Sequence, residues 1–207
     1  MSSASEAASF IGILRHRIDT DGRGVVTLAA FHGCPLRCRY CLNPQCFTRQ
    51  PVMYLTPAQL LDAVRVDHLY FLATGGGVTF GGGEPARQSR FISDFCNRMP
   101  DGWHITLETS LHVERRHLER LLPCVHHFIV DIKDTNPDIY KCYTGVDNTR
   151  VLDNIAWLLC QPDMQERVTV RLPLIPDYNT PAAVSKSRKL LCDMGVTHFD
   201  MLQYVRS

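Results

Sequence analysis

Three thiols, Cys34, Cys38 and Cys41, fall within eight residues, with three residues between the first pair and two between the second. One loop can therefore wrap its sulfurs around a single inorganic centre without distant help. That spacing allows zinc or iron-sulfur. Structural zinc wants a closed set of four, usually as two close pairs, and Cys46 or His32 stands near enough in sequence to complete one. Three evenly deployed thiols better suit an iron-sulfur cubane with one iron lacking a protein ligand, an open position for a substrate or cofactor. Cys34, Cys38 and Cys41 are the candidate metal ligands and the expected catalytic centre.

Other chemistry-bearing residues admit plainer readings. Asp131 and Lys133 are two apart in an apolar run, so they share one face of a strand, and buried charges need partners. Arg171 lies in the apolar run Val168 to Leu174, where an unpaired guanidinium is costly. Gly81-Gly82-Gly83-Glu84 taken alone is a turn between a strand and a helix. Of the six remaining cysteines, Cys46, Cys96, Cys124, Cys142, Cys160 and Cys192, scattered singly, most read as small core residues. The nine histidines show no metal-ligand spacing.

Composition narrows the class. The 207 residues carry 22 Lys and Arg against 21 Asp and Glu, a net charge of +1 with no long run of one sign. That balance predicts neither nucleic acid nor an anionic membrane as partner. With no signal-type start, no apolar run of about 20 residues and cysteines read as free or metal-bound, a cytoplasmic protein is expected.

The elements that must position these residues follow from pattern. Strands are predicted at Val25 to Phe31, within Leu69 to Phe80 and ending at Val78-Thr79-Phe80, at Trp103 to Glu108, His127 to Ile132, Val168 to Leu174 and Phe199 to Val205. Helices are predicted from Thr56-Pro57, over Ala86 to Arg98, around Leu118 to Leu122, through Leu152 to Leu159, and after Thr180-Pro181. Met1 to Phe10 reads as a frayed end; residues 1–20 are an extension leading into a core of residues 21–207. Strands alternating with helices imply right-handed crossovers and a parallel sheet, an α/β fold of partial (β/α)6 barrel type with its chemistry at strand C-terminal ends.

Asp21-Gly22-Arg23-Gly24-Val25, Phe31-His32-Gly33-Cys34 and the CxxxCxxC loop with Asn43-Pro44 resemble the glycyl-radical-enzyme activating enzymes of the radical S-adenosylmethionine (SAM) superfamily. The block Gly75-Gly76-Gly77-Val78-Thr79-Phe80-Gly81-Gly82-Gly83-Glu84-Pro85 is similar to the glycine-rich motif of that group, and Asp131-Ile132-Lys133 to its fourth-strand motif. The resemblance spans Asp21 to Tyr204. It implies an oxidoreductase in which Cys34, Cys38 and Cys41 hold three irons of one 4Fe-4S cluster and SAM chelates the fourth. Reductive cleavage of SAM then yields a 5'-deoxyadenosyl radical that abstracts a Cα hydrogen from a glycine of a partner glycyl radical enzyme, with a flavodoxin or ferredoxin-type protein as reductant.

By the same resemblance Gly82, Gly83 and Glu84 receive the SAM amino group, Tyr40 packs near the adenine, and Glu108, Thr109 and Asp131 surround SAM with a monovalent cation. Lys133 is placed beside them, and Arg171 pairs with the carboxylate of SAM or with a protein carboxylate. The family usually has serine where Gly81 stands, often aspartate where Glu108 stands, and a histidine where Val205 stands. The stretch after Cys41 holds too few cysteines for an auxiliary cluster. Two other functions fit parts of the pattern: a radical SAM enzyme acting on a small molecule or nucleotide, and a zinc-stabilised binding module without turnover.

Overall fold

The computed structural model describes residues 6–18, 20–47 and 53–204. The chain forms two compact units, one of Met1–Cys34, Asn43–Glu108 and Glu114–His127, the other of Pro35–Leu42, Thr109–Val113 and Phe128–Ser207. The first runs β1 (Ala8–Ile18), β2 (Val25–Phe31), β3 (Met53–Leu55), α1 (Pro57–Val64), α2 (His68–Thr74), β4 (Gly77–Gly82), α3 (Ser89–Cys96), β5 (His104–Thr109) and α4 (Arg115–Leu121).

Its strands lie in the order β3-β1-β2-β4-β5. β2, β4 and β5 run parallel, with Val26 opposite Gly77 and Gly77 opposite His104. β1 is antiparallel to both β2 and β3. The expectation of a frayed start is thus corrected over Ala8–Phe10: Phe10 has 0 % exposure and stacks on Phe31 at a centroid distance of 4.4 Å. Phe31 continues the cluster to Phe80 and Phe91, and Phe80 to Phe95, so β1, β2, β4 and α3 share one aromatic core. α1 begins where its capping box predicts: Gln59 N–H donates to Thr56 Oγ1 at 3.3 Å and Thr56 N–H to Gln59 Oε1 at 2.9 Å.

The strand expected within Leu69 to Phe80 is β4, at the end of that run; the first part, Leu69 to Thr74, adds an unexpected element. It is the helix α2, from which Phe71 alone is buried, while Leu69, Tyr70 and Leu72 are exposed. A short apolar run carries no periodicity that separates strand from helix.

The second unit continues with β6 (His127–Asp131), α5 (Pro137–Thr144), α6 (Thr149–Leu159), α7 (Met164–Arg167), β7 (Val168–Arg171), α8 (Pro181–Asp193) and β8 (His198–Asp200). The parallel order is β6-β7-β8, with Asp131 opposite Arg171 and Arg171 opposite Asp200. β7 stops at Arg171, three residues short of expectation, because Pro173 lacks an N–H for a ladder. β8 is likewise short, and a single bridge joins Leu174 to Gln203. Val205 lies outside the described residues.

α5 falls where the sequence pattern predicts no helix; Asn136 caps it by accepting from the backbone N–H of Asp138 (2.9 Å) and Ile139 (3.3 Å). Each unit contributes parallel strands that alternate with helices, an α/β class.

Candidate functional site

In the first unit β2 delivers His32 and Gly33 directly to Cys34, and the end of β4 is bound to that delivery point. Gly83 donates its N–H to Phe31 O and Glu84 its N–H to Gly33 O, both at 2.9 Å. A Cβ on Gly83 would stand 2.1 Å from Gly33 O, so only glycine permits this approach. Gly82 sits at φ 90° with its Cα face against Ala30, and its carbonyl accepts from Asn43 Nδ2 at 3.2 Å. The motif is therefore more than a turn: its backbone is fixed to both ends of the cysteine loop's first-unit flanks.

Glu84 is 2 % exposed, and its Oε1 accepts the Ala86 N–H at 3.1 Å, capping the 3-10 turn Pro85–Gln88. Glu108, half-buried at the end of β5, brings Oε2 to within 2.7 Å of where a Gly81 Cβ would be. The two departures from the family pattern in this region thus meet: the longer carboxylate occupies space a serine at position 81 would need. Cys46 is buried and directs its thiol to Phe31 O at 3.6 Å, as a core residue does, whereas Cys142, Cys160 and Cys192 are exposed, which corrects the core reading for those three.

In the second unit the loop carrying Cys38 and Cys41 is clamped on α5. Arg37 N–H donates to Thr144 O at 2.8 Å and Arg39 N–H to Tyr143 O at 3.1 Å, one on each side of Cys38. Tyr40 sets its ring edge-on to Tyr143 (6.2 Å) and Tyr178 (5.6 Å) and donates its hydroxyl to Asp177 at 3.0 Å. Burial pushes the Cys38 thiol up to about 11, with the positive charge of Lys133 opposing it. A ligand thiol must lose its proton, and Lys133 is the group that favours the thiolate.

Lys133, 8 % exposed, donates to Tyr204 Oη at 2.9 Å and pairs with Asp131 at 3.5 Å. Burial works against its charge, and Asp131, Tyr204 and Cys38 together outweigh burial and hold its pKa well above 10.5. Of the two partners expected for Arg171, the protein carboxylate is present: Nε donates to Asp200 at 3.2 Å. Thr109 is buried and accepts the Leu111 N–H on Oγ1 at 2.9 Å, starting a loop that Asn154 holds through Leu111 O (2.8 Å) and Val113 O (2.9 Å).

The first unit therefore gathers Gly82, Gly83 and Glu84 against the approach to Cys34, with Glu108 beside Gly81. The second gathers Cys38, Tyr40, Asp131 and Lys133 with Tyr204, and sets Arg171 on Asp200. Sequence reasoning overlooked Tyr143, Tyr178, Asp177 and Asn179. Asn179 accepts from Ile175 N–H (2.7 Å) and donates to Asp134 Oδ2 (3.2 Å) and Pro173 O (3.1 Å), joining three segments. Nothing local in the sequence marks an asparagine as such a hub. Asn43, part of the cysteine-loop motif, also positions Gly82.

A family model described as Radical SAM superfamily matches residues 29–180. Among curated relatives, the chain is 27% identical to the (2S)-3-sulfopropanediol dehydratase activating enzyme of Klebsiella oxytoca over 77% of this chain and 69% of that one. It is 34% identical to the pyruvate formate-lyase-activating enzyme of Staphylococcus aureus (strain USA300), over 77% of this chain and 65% of that one. The chain spans about two thirds of these relatives' lengths. Among solved structures, Streptococcus suis SuiB bound to S-adenosylmethionine aligns with a TM-score of 0.67 at 13% identity, over 88% of this chain and 40% of SuiB, a likeness of fold.

Proposed function

Since the chain belongs to the radical SAM superfamily, we propose that it is a glycyl-radical-enzyme activase, as the two curated relatives' names describe those proteins. Cys34, Cys38 and Cys41 would hold the 4Fe-4S cluster. When bound, that cluster supplies the electron that splits SAM into methionine and a 5'-deoxyadenosyl radical, which takes the Cα hydrogen of a glycine.

The supporting observation is the pair of 2.9 Å hydrogen bonds from Gly83 and Glu84 to Phe31 and Gly33. They hold bare backbone and a buried carboxylate beside the residue preceding Cys34, a setting suited to an ammonium group. Gly82, Gly83 and Glu84 are assigned to the SAM amino group. Lys133 favours the Cys38 thiolate, Tyr40 is assigned to the adenine, and Glu108, Thr109 and Asp131 are assigned to SAM with a monovalent cation. Arg171 acts through its pair with Asp200 as a positioning residue.

Among the described residues no three His, Cys, Asp or Glu side chains converge as ligands of a single metal ion. The family model and the two curated relatives support a cluster over the zinc-stabilised module. Among the described residues no helix is long and apolar enough to cross a membrane; a cytoplasmic enzyme served by a flavodoxin or ferredoxin-type reductant completes the proposal.

The test is to mix the anaerobically reconstituted protein with SAM, dithionite and candidate glycyl radical enzymes and record electron paramagnetic resonance spectra. A glycyl radical signal on a partner is expected. Formation of 5'-deoxyadenosine with no radical on any partner would instead favour a small-molecule or nucleotide substrate.

A further inference from the structure

The first unit carries an open cleft of about 1090 Å³ between α3, α4 and the start of β1, lined by five arginines against Glu6 and Asp94. In a chain whose net charge is only +1, this is a local concentration of one sign. Two of the five are compensated: Arg98 pairs with Asp94 at 3.1 Å and Arg116 with Glu114 at 3.1 Å. Arg87 and Arg90 are exposed and have no carboxylate partner among the described residues. Among the described residues Arg120 spends a donor only on the neutral Ser89 Oγ, at 3.1 Å.

The excess charge is felt inside the cleft. His117 is held below its ordinary pKa first by burial and then by Arg116, Arg120 and Arg87, with only Glu114 opposing. An electropositive surface left uncompensated in the free protein is an electrostatic offer to an anionic partner.

The form of the cleft says which kind. Ser89, its fully buried polar side chain, is already satisfied by His117 Nδ1 at 2.9 Å and by Arg120. No enclosed polar socket is set for a small phosphate. The unpaired guanidinium groups are instead exposed and spread over the Pro85–Gln88 turn, α3 and α4, beside Tyr54, an aromatic residue 69 % exposed. Exposed arginines with a tyrosine are the composition that dominates protein-protein hot spots.

We propose that this cleft docks an acidic segment of a partner protein, with Arg87, Arg90 and Arg120 as the recognising cations. The proposal does not depend on the reaction assigned above.

The test uses the full chain and a fluorescein-labelled oligoglutamate peptide read by fluorescence anisotropy. Saturable binding that weakens with added salt is expected, with affinity lowered about tenfold or more in the double variant Arg87→Ser/Arg90→Ser and unchanged in Lys189→Ser, on the exposed face of α8. Both arginines are exposed, so the variant is expected to unfold at the wild-type temperature, and to cleave SAM with dithionite at the wild-type rate if the chain is the enzyme proposed. Absence of saturable binding, equal loss in the α8 variant, or binding of pyrophosphate at the cleft without binding of the peptide would each overturn the assignment.

Discussion

Glu84 gives its backbone N–H to the carbonyl of Gly33 at 2.9 Å, one residue before Cys34. The glycine-rich end of β4 and the entry to the cysteine loop are one bonded unit, far apart in sequence and joined by backbone groups that no side chain can replace. Gly83→Ala would place a Cβ 2.1 Å from that carbonyl, and the atom in its way is backbone, which cannot swing aside. We expect a loss of about 2 kcal/mol or more in urea unfolding and reduced iron and sulfide after anaerobic reconstitution.

Gly81 and Glu108 are expected to be coupled. Gly81→Ser meets Glu108 Oε2 and Leu28 Cδ1 and should cost about 1 kcal/mol. Glu108→Asp withdraws the carboxylate, so the double variant should recover most of that loss; a double-mutant cycle with zero coupling would show that the two positions do not share space.

The fold was legible where periodicity and punctuation agreed. Thr56-Pro57 and Thr180-Pro181 announce helices that form where expected, and the parallel strands β2, β4 and β5 of the first unit and β6, β7 and β8 of the second stand on predicted runs. β1 was hidden because its register shifts between Phe10 and Gly12 and again between Leu14 and Arg17, which breaks the alternation that marks a strand. Its polar residues also find partners remote in sequence, as Arg15 finds Asp67. At the site, clustered motifs were readable because their spacing is local. Tyr204 on Lys133 and Asn179 on Asp134 were not, since each is defined only by long-range packing.

Asp67 provides a pH test. Its side chain has no exposure and accepts from Arg15 Nε at 2.9 Å and Thr27 Oγ1 at 2.7 Å, with His16 Nε2 at 3.0 Å. Burial would raise its pKa, but the Arg15 hydrogen bond, Thr27 and the charge of Arg15 hold it below 3.8. A depressed carboxylate contributes stability that is present above pH 3.8 and lost as pH falls through the lower folded value. Asp67→Asn should therefore cost about 2 kcal/mol at neutral pH, with the gap to wild type closing below pH 3.8 in urea titrations.

Tyr40→Phe removes the hydroxyl donated to Asp177 and leaves the ring against Tyr143 and Tyr178. A loss of about 1 kcal/mol in stability is expected, with iron content unchanged. Tyr40→Ala, which empties the ring site, should reduce iron content, checked by metal and sulfide analysis after reconstitution.

The proposed function requires Cys34, Cys38 and Cys41 to hold a cluster that cleaves SAM. It is tested most directly by reconstituting wild type and Cys38→Ala anaerobically, reducing both with dithionite in the presence of SAM, and quantifying 5'-deoxyadenosine. Wild type should bind iron and sulfide and form the product, and the variant should form none. Wild type that takes up no iron and sulfide, or a Cys38→Ala variant that still makes 5'-deoxyadenosine, would contradict it.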